Sequence, residues 1–467
     1  MAKGPTCRLR PRARPRHRRA AAGQATRPSQ ARAARGRTLV AALVLLGAVL
    51  AAPAGAQHGG PPPEAEAAPQ EAAPPAPPLL RAVPFAELPG WTDDRHAEAL
   101  PALQASCAAL RTMRPETPLG GQQEAALRAG TAAAWSGLCT ELRVLERALP
   151  RPPRPGTGRA HERRMAEWRA ARDAAVRAFI EQHFEPFAAG PGIMTGYYEP
   201  ILRGSVTADE VYRTPLFARP PELMEVPVNG NPLRRRFGMM VEGRLEPFHD
   251  RAAIESGALA ERGLELVWVD DPADAFFLHI QGSGRVVLPD GEVLRIGYAG
   301  QNGRPYVPIG RVLIERGEIP REQMSMQAIR AWLAAAGHER ATELMRHNPS
   351  FVFFRRVEGL APDQGPIGAM GVPLTPQRSV AVDRGFIPLG APMWVMVRDP
   401  MARRDTPPAG RLVVAQDTGG AIRGPARTDF FQGWGPEAGE RAGRMRDEAE
   451  VFVLLPRIVT VAAAGAD

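Results

Sequence analysis

Residues Leu412 to Met445 read LVVAQDTGGAIRGPARTDFFQGWGPEAGERAGRM. The stretch opens on a short β-type run, Leu412-Val413-Val414-Ala415, that ends near Asp417. Such a run bounded by glycines reads as a strand. The glycine-rich turn Thr418-Gly419-Gly420 follows, and a second carboxylate, Asp429, stands in front of the aromatic pair Phe430-Phe431. Pro436-Glu437-Ala438-Gly439 then reads as the start of a helix. Two acids about a dozen residues apart, one on a strand end and one after a tight turn, suggest carbohydrate or acyl chemistry.

Outward from this stretch the texture stays strand-like. Ser379 to Val382 and Met393 to Val397 read as strands before it. Glu265 to Val269, Ala275 to Gln281, Arg285 to Leu288 and Val293 to Ile296 form an earlier series, and Pro289-Asp290-Gly291 between the last two is a hairpin signal. Gly196-Tyr197-Tyr198-Glu199-Pro200 reads as a strand end on which the adjacent tyrosines point to opposite faces, one to pack and one toward a groove. Arg311 to Arg316 and Met326 to Ala335 read as helices. Strands dominate with helices inserted, which predicts a mainly β, α+β architecture of barrel type and not a doubly wound sheet.

Between His96 and Ala189 the period is helical. Leu100, Leu103, Cys107 and Leu110 recur on one face, as do Leu138, Leu142, Leu145 and Leu149, and Val176, Phe179, Ile180 and Phe184 continue the pattern before Pro186. These helices buttress a core, with Trp135 and Trp168 as packing residues. Cys107 and Cys139 fit either a disulfide, if the compartment is oxidising, or two buried thiols, since spacing alone does not establish a bridge.

The first 56 residues carry one lysine and eleven arginines and no acid, followed within them by an apolar run from Leu39 to Ala52 and then Pro53-Ala54-Gly55-Ala56. A basic segment, an apolar core shorter than the roughly 20 residues that span a membrane, and a small-x-small cleavage site describe a secretory leader. The chain has 59 basic against 50 acidic residues. Without the leader's 12 bases the balance becomes 47 against 50, a net charge of −3. The basic pI therefore belongs to the leader, and no nucleic-acid footprint follows from it. Gly59 to Pro78, rich in Pro, Ala and Glu, reads as a flexible tether. The chain from about Pro84 onward is long enough for two domains. No CxxC or HExxH pattern is present and the nine histidines are scattered, so a zinc site is not expected, and chemistry that moves only protons implies no cofactor.

Asp417-Thr418-Gly419 is close to an aspartic protease signature, but that chemistry needs two carboxylates sharing a proton, usually from two copies of the motif. This chain has one copy. Glycoside chemistry fits better: Phe430 and Phe431 beside Asp429 would desolvate it and raise its pKa toward the range of a general acid. Asp383, in Val382-Asp383-Arg384-Gly385, suits a turn or a hydrogen-bonding network beneath such a site. Gly282-Ser283-Gly284 reads as a tight turn, with no lysine or helix start to make it a phosphate loop.

AVDRGFIPLG around Asp383, VAQDTGGAIRG around Asp417 and RTDFFQGWG around Asp429 resemble the three-aspartate (3D) domain of the MltA family, membrane-bound lytic murein transglycosylases. Gly196-Tyr-Tyr-Glu-Pro200, His279-Ile-Gln-Gly-Ser-Gly284, Ser325-Met-Gln-Ala-Ile329 and Asn348-Pro-Ser-Phe-Val-Phe-Phe354 resemble the family's other blocks, in the same order. The resemblance runs from about Val83 to Leu455. It implies a double-psi β-barrel domain built from segments on either side of an inserted second, smaller β-barrel-like domain, with glycan in the groove between them. The implied division is a signal peptide at 1–56, a tether at 57–82, N-terminal helices and the first part of the barrel at 83–204, the insert at 205–365, the 3D domain at 366–458 and a tail at 459–467. The resemblance places the catalytic acid on Asp429, with Asp417 and Asp383 in support, and Tyr198, Gln281, Ser283 and Phe431 toward the substrate. The implied reaction cleaves the β-1,4 bond between N-acetylmuramic acid and N-acetylglucosamine and leaves 1,6-anhydro ends. The alternatives are hydrolysis by Asp429 and Asp417 with water, and a non-catalytic murein-binding barrel. The implied partners are peptidoglycan glycan strands, with other cell-wall enzymes as further candidates. Export to the periplasm is implied as well. Attachment to the outer membrane lacks a sequence basis, because no lipid-accepting cysteine closes the apolar run.

Overall fold

A computed structural model describes residues 80–228, 231–403 and 405–457. The leader, the tether up to residue 79 and the tail lie outside the described residues. The short strand β1 (Arg81–Ala82) precedes four helices, α1 (Leu100–Thr112), α2 (Glu124–Ala129), α3 (Ser136–Ala148) and α4 (Arg159–His183). On α1 the predicted stripe Leu100, Leu103, Cys107 and Leu110 is buried, as a helix with one apolar face requires. Trp135 is buried and its indole N–H donates to the Ala129 carbonyl, whereas the Trp168 indole N–H donates to the Pro150 carbonyl nearer the surface. Cys107 and Cys139 form a disulfide that joins α1 to α3 across 32 residues. Closing a loop of that length restricts the unfolded chain, so Cys107→Ser is expected to lower unfolding free energy by about 4 kcal/mol. Denaturant unfolding with and without reductant measures it, and reductant should leave the variant's midpoint unmoved.

The long strand β2 (Phe184–Glu199) leads into the insert. Its strands are β3 (Ile201–Ser205), β4 (Thr214–Phe217), β5 (Met224–Val228), β6 (Asn231–Val241) and β7 (Arg244–Glu246). After the single turn α5 (Arg251–Ala253) come β8 (Glu265–Val269), α6 (Pro272–Gln281), β9 (Ser283–Val287) and β10 (Val293–Gln301). Helices α7 (Ile309–Glu315), α8 (Met326–Ala336) and α9 (His338–Arg346) and strand β11 (Val352–Arg356) complete it. The chain returns through β12 (Ser379–Val382), β13 (Pro392–Val397), β14 (Ala409–Asp417), β15 (Thr428–Trp434), α10 (Gly435–Arg444) and β16 (Arg446–Pro456).

Strands β2, β15, β12, β14, β13 and β16 pair in that order, and β16 pairs back onto β2. The ring is therefore closed, and six-stranded. It is mixed in direction, with β15 parallel to β2 and β14 parallel to β12. Closure leaves no free sheet edge around it. The insert forms a second sheet in the order β11-β10-β9-β3-β8-β4, whose ends meet through a bridge between Ala218 and Phe354. Each has its own core: Trp394, Val413, Phe430 and Leu454 with the N-terminal helices in the barrel, and Leu202, Val267, Val286 and Phe354 in the insert. The molecule is thus α+β and mostly β, as expected.

The segment Ala275 to Gln281 departs from expectation: it is helical, all of α6 after its first three residues. Asp271 caps that helix by accepting from the Ala273 amide at 2.7 Å, Pro272 occupies its first turn, and Gly282 ends it with φ of 80°. Ala275, Phe276, Phe277, Leu278 and His279 are all buried. Five successive buried residues go once round the helix and leave no polar face over that turn, so its sequence there reads like a buried strand.

Candidate active site

Strand register assembles the acids. Ala381 of β12 pairs with Asp417 of β14 on one side and with Asp429 of β15 on the other, and Asp429 pairs with Thr195 of β2. Residues opposite one another in a sheet project from the same face. The row Asp417, Ala381, Asp429, Thr195 therefore presents two carboxylates separated by one methyl side chain. At about 4.8 Å per strand the acids' backbones stand about 9.6 Å apart.

The two carboxylates are held differently. The Thr195 hydroxyl donates to Asp429 Oδ1 at 2.5 Å, and Thr195 Oγ1 accepts from Arg427 Nη2 at 2.9 Å. The guanidinium thus turns the threonine hydrogen toward the carboxyl. The second oxygen of Asp429 has no protein partner among the described residues. Asp417 is held on both oxygens: Oδ1 accepts from the Ala369 and Thr418 amides at 2.8 and 2.9 Å, and Oδ2 from the Tyr197 hydroxyl at 3.0 Å.

Burial sets the electrostatics. Asp429 is half-buried, and loss of solvent pushes its pKa from 3.8 up to about 6 against the opposing Thr195 bond and Arg427 charge, with Asp417 adding to the rise. Burial also raises Asp417, opposed by its three hydrogen bonds. Burial and both carboxylates hold the Tyr197 phenol protonated well above its usual range, so it stays a donor to Asp417.

The other residues singled out in the sequence fall elsewhere. Asp383 accepts from the Gly385 and Gly424 amides at 3.0 Å each, joining the turn after β12 to the loop before β15. Phe431 is completely buried, with its ring centroid 5.3 Å from that of Tyr197, so it has no exposed face to offer a sugar. Tyr198 packs against Ala438 and Ala442 of α10 and Met326 of α8. The Gln281 side chain accepts from the Tyr198 amide at 3.0 Å, tying α6 to β2. Ser283 opens β9, half-buried, opposite Gly297. Of the adjacent tyrosines it is Tyr197 that reaches the acids. Thr195 and Arg427 are site residues that the sequence does not announce, because the bonds of Thr195 to Asp429 and to Arg427 depend on the β2–β15 register across 234 and 232 positions.

A family model described as the MltA specific insert domain matches residues 193–355, and the 3D domain model matches residues 378–455. A crystal structure of a membrane-bound lytic murein transglycosylase from Agrobacterium tumefaciens is 37% identical with a TM-score of 0.65, the match covering 81% of this chain and 98% of that one. The chain belongs to the MltA family. Among curated MltA relatives, the Membrane-bound lytic murein transglycosylase A of Vibrio cholerae is 36% identical over 57% of this chain. That match spans 66% of the Vibrio protein, just under two thirds of its length. The E. coli MltA crystal structure with bound chitohexaose is 34% identical with a TM-score of 0.50, covering 61% of this chain and 78% of that one.

Proposed function

We propose that this chain is a murein lytic transglycosylase that uses Asp429 as acid and then as base. The observation that supports this best is the Asp429 carboxyl, brought to a pKa of about 6 with one oxygen held by Thr195. A group with that proton affinity can both give and take a proton near neutral pH. Membership of the MltA family and the chitohexaose carried by the E. coli relative point to a glycan of N-acetylated sugars as substrate.

The Asp429 proton passes to the glycosidic oxygen as the bond from that oxygen to C1 of N-acetylmuramic acid breaks through an oxocarbenium-like transition state. The C6 hydroxyl of the same sugar then forms its bond to C1 while its proton returns to the Asp429 carboxylate. The products are a free N-acetylglucosamine 4-hydroxyl and a 1,6-anhydro end, the acid is regenerated, and no water is consumed. Because the nucleophile is held on the substrate, its proximity replaces the second carboxylate that most glycosidases use.

The alternative is water-mediated inversion, with Asp429 as the acid and Asp417 as the base. The hydrogen bonding of Asp417 argues against it: three protein donors take three of the carboxylate's four lone-pair sites and each opposes its taking up a proton. Asp417 instead fixes the local field, and Asp383 fixes the loop that carries Arg427. Mass spectrometry of digested sacculi decides between the two. Anhydro ends support the proposal, and reducing ends with incorporation of labelled water oxygen overturn it.

The pH dependence follows from the same group. Turnover is expected to fall as pH rises through about 6, where Asp429 loses its proton. Thr195→Val removes a bond that favours the carboxylate, so the falling limb should move to higher pH. A limb that stays in place or moves down would show that Thr195 does not act on the acid.

The leader-like N-terminus and the disulfide between Cys107 and Cys139 support an exported, oxidising location, which we assign to the periplasm. No helix among the described residues is long and apolar enough to cross a membrane.

A further inference from the structure

Strand β15 is irregular against β2 between Phe431 and Trp434. Gly433 and Gly435, on either side of the tryptophan, have φ of 114° and 79°, a region that glycine enters freely and other residues enter at a cost. A bulge of this kind breaks the alternation of a strand and re-aims a side chain. Here the side chain is Trp434, half-buried and in register with Glu199, where the chain leaves the barrel for the insert. The Arg285 guanidinium lies 4.3 Å from the centroid of its ring. Arg285 is itself fixed, donating to Glu199 at 2.9 Å, to the Pro362 carbonyl at 2.7 Å and to the Gln364 carbonyl at 2.9 Å. The indole therefore rests on an immobile cation, and its remaining open surface has a set orientation.

We propose that Trp434 is a stacking platform for an N-acetylhexosamine ring, a glycan subsite on the same strand as the acid. An indole offers a flat apolar face with a polar edge, which complements a pyranose with its C–H groups on one side and hydroxyls around the rim. Five positions of strand separate Trp434 from Asp429, about 16 Å at a rise of about 3.3 Å per residue. The platform thus holds a sugar beyond the pair that flanks the cleaved bond, and it selects for chain length. The class of ligand rests on the glycan-cleaving function proposed above, but the test reads binding and does not require turnover.

The experiment is calorimetric titration of the protein and its Trp434 variants with chitohexaose. Trp434→Ala is expected to weaken binding about tenfold, and Trp434→Phe, which keeps an aromatic face, to restore most of it. On murein, Trp434→Ala should raise KM severalfold with kcat within about twofold. Unchanged chitohexaose affinity in a folded Trp434→Ala protein overturns the platform. So does equal loss in the Ala and Phe variants accompanied by equal loss of thermal stability, which marks a packing role. A wild type that binds chitohexaose through Trp434 but forms no anhydro ends would remove the proposed reaction and leave the platform standing.

Discussion

Asp429→Asn protein is expected to release anhydromuropeptides from purified sacculi about a thousandfold more slowly than wild type, within the range contributed by a positioned general acid. It is also expected to be more stable at neutral pH. The folded-state pKa of Asp429, about 6, lies above its ordinary 3.8. Between those values the folded chain retains a proton that the unfolded chain has released. Stability therefore falls as pH rises from about 4 to about 6 and stays lower above that, by up to about 3 kcal/mol at about 1.4 kcal/mol per unit. Asparagine has no charge to desolvate and its carbonyl still accepts from Thr195, so the variant escapes this loss. Rate and thermal midpoint should then move in opposite directions. Wild-type rates in the variant would remove Asp429 from the chemistry. A lower midpoint at neutral pH would show that the carboxylate stabilises the fold and carries no strain.

Much of the barrel is legible in the sequence because its strands are short apolar runs punctuated by turn residues. Ser379–Val382 and Leu412–Ala415 are examples, both lying within strands of the closed sheet. The helix over Ala275–Gln281 is not legible in the same way, since the five successive buried residues Ala275 to His279 leave no polar face over that turn to distinguish the two periods. The acids themselves stand out as residues, but the difference between them does not. That difference comes from Thr195 on one carboxyl and Tyr197 with two amides on the other, contacts set by strand register and not by neighbours in the chain. Trp434 escapes a strand-alternation reading for a related reason: the bulge that re-aims it is visible only once β15 is laid against β2.

Glu199→Gln is expected to lower unfolding free energy by about 3–5 kcal/mol, the range for removing one partner of a buried ion pair. Glu199 is only 1% exposed and lies between Arg285 and Arg295. Its oxygens accept from Arg285 at 2.9 Å and from Arg295 at 2.9 to 3.2 Å. Burial, with Arg285 close by, already holds the Arg295 pKa below its ordinary value, and the Glu199 charge opposes that. Glutamine keeps the shape and removes the charge, leaving two guanidinium ions facing each other with little access to water. Both arginines also donate to the Gln364 carbonyl, so Glu199 fastens the segment that leaves the barrel to the segment that returns. Its loss should loosen that junction and, through Arg285, the seat of Trp434. The double variant Glu199→Gln, Arg295→Met removes one of the two facing charges and leaves Arg285 on its backbone carbonyls, so it should recover part of the loss. Urea unfolding of the two variants measures both terms. A single-variant cost under about 1 kcal/mol, or no recovery in the double variant, would mean that the carbonyls alone hold the junction and that the buried charge contributes nothing to it.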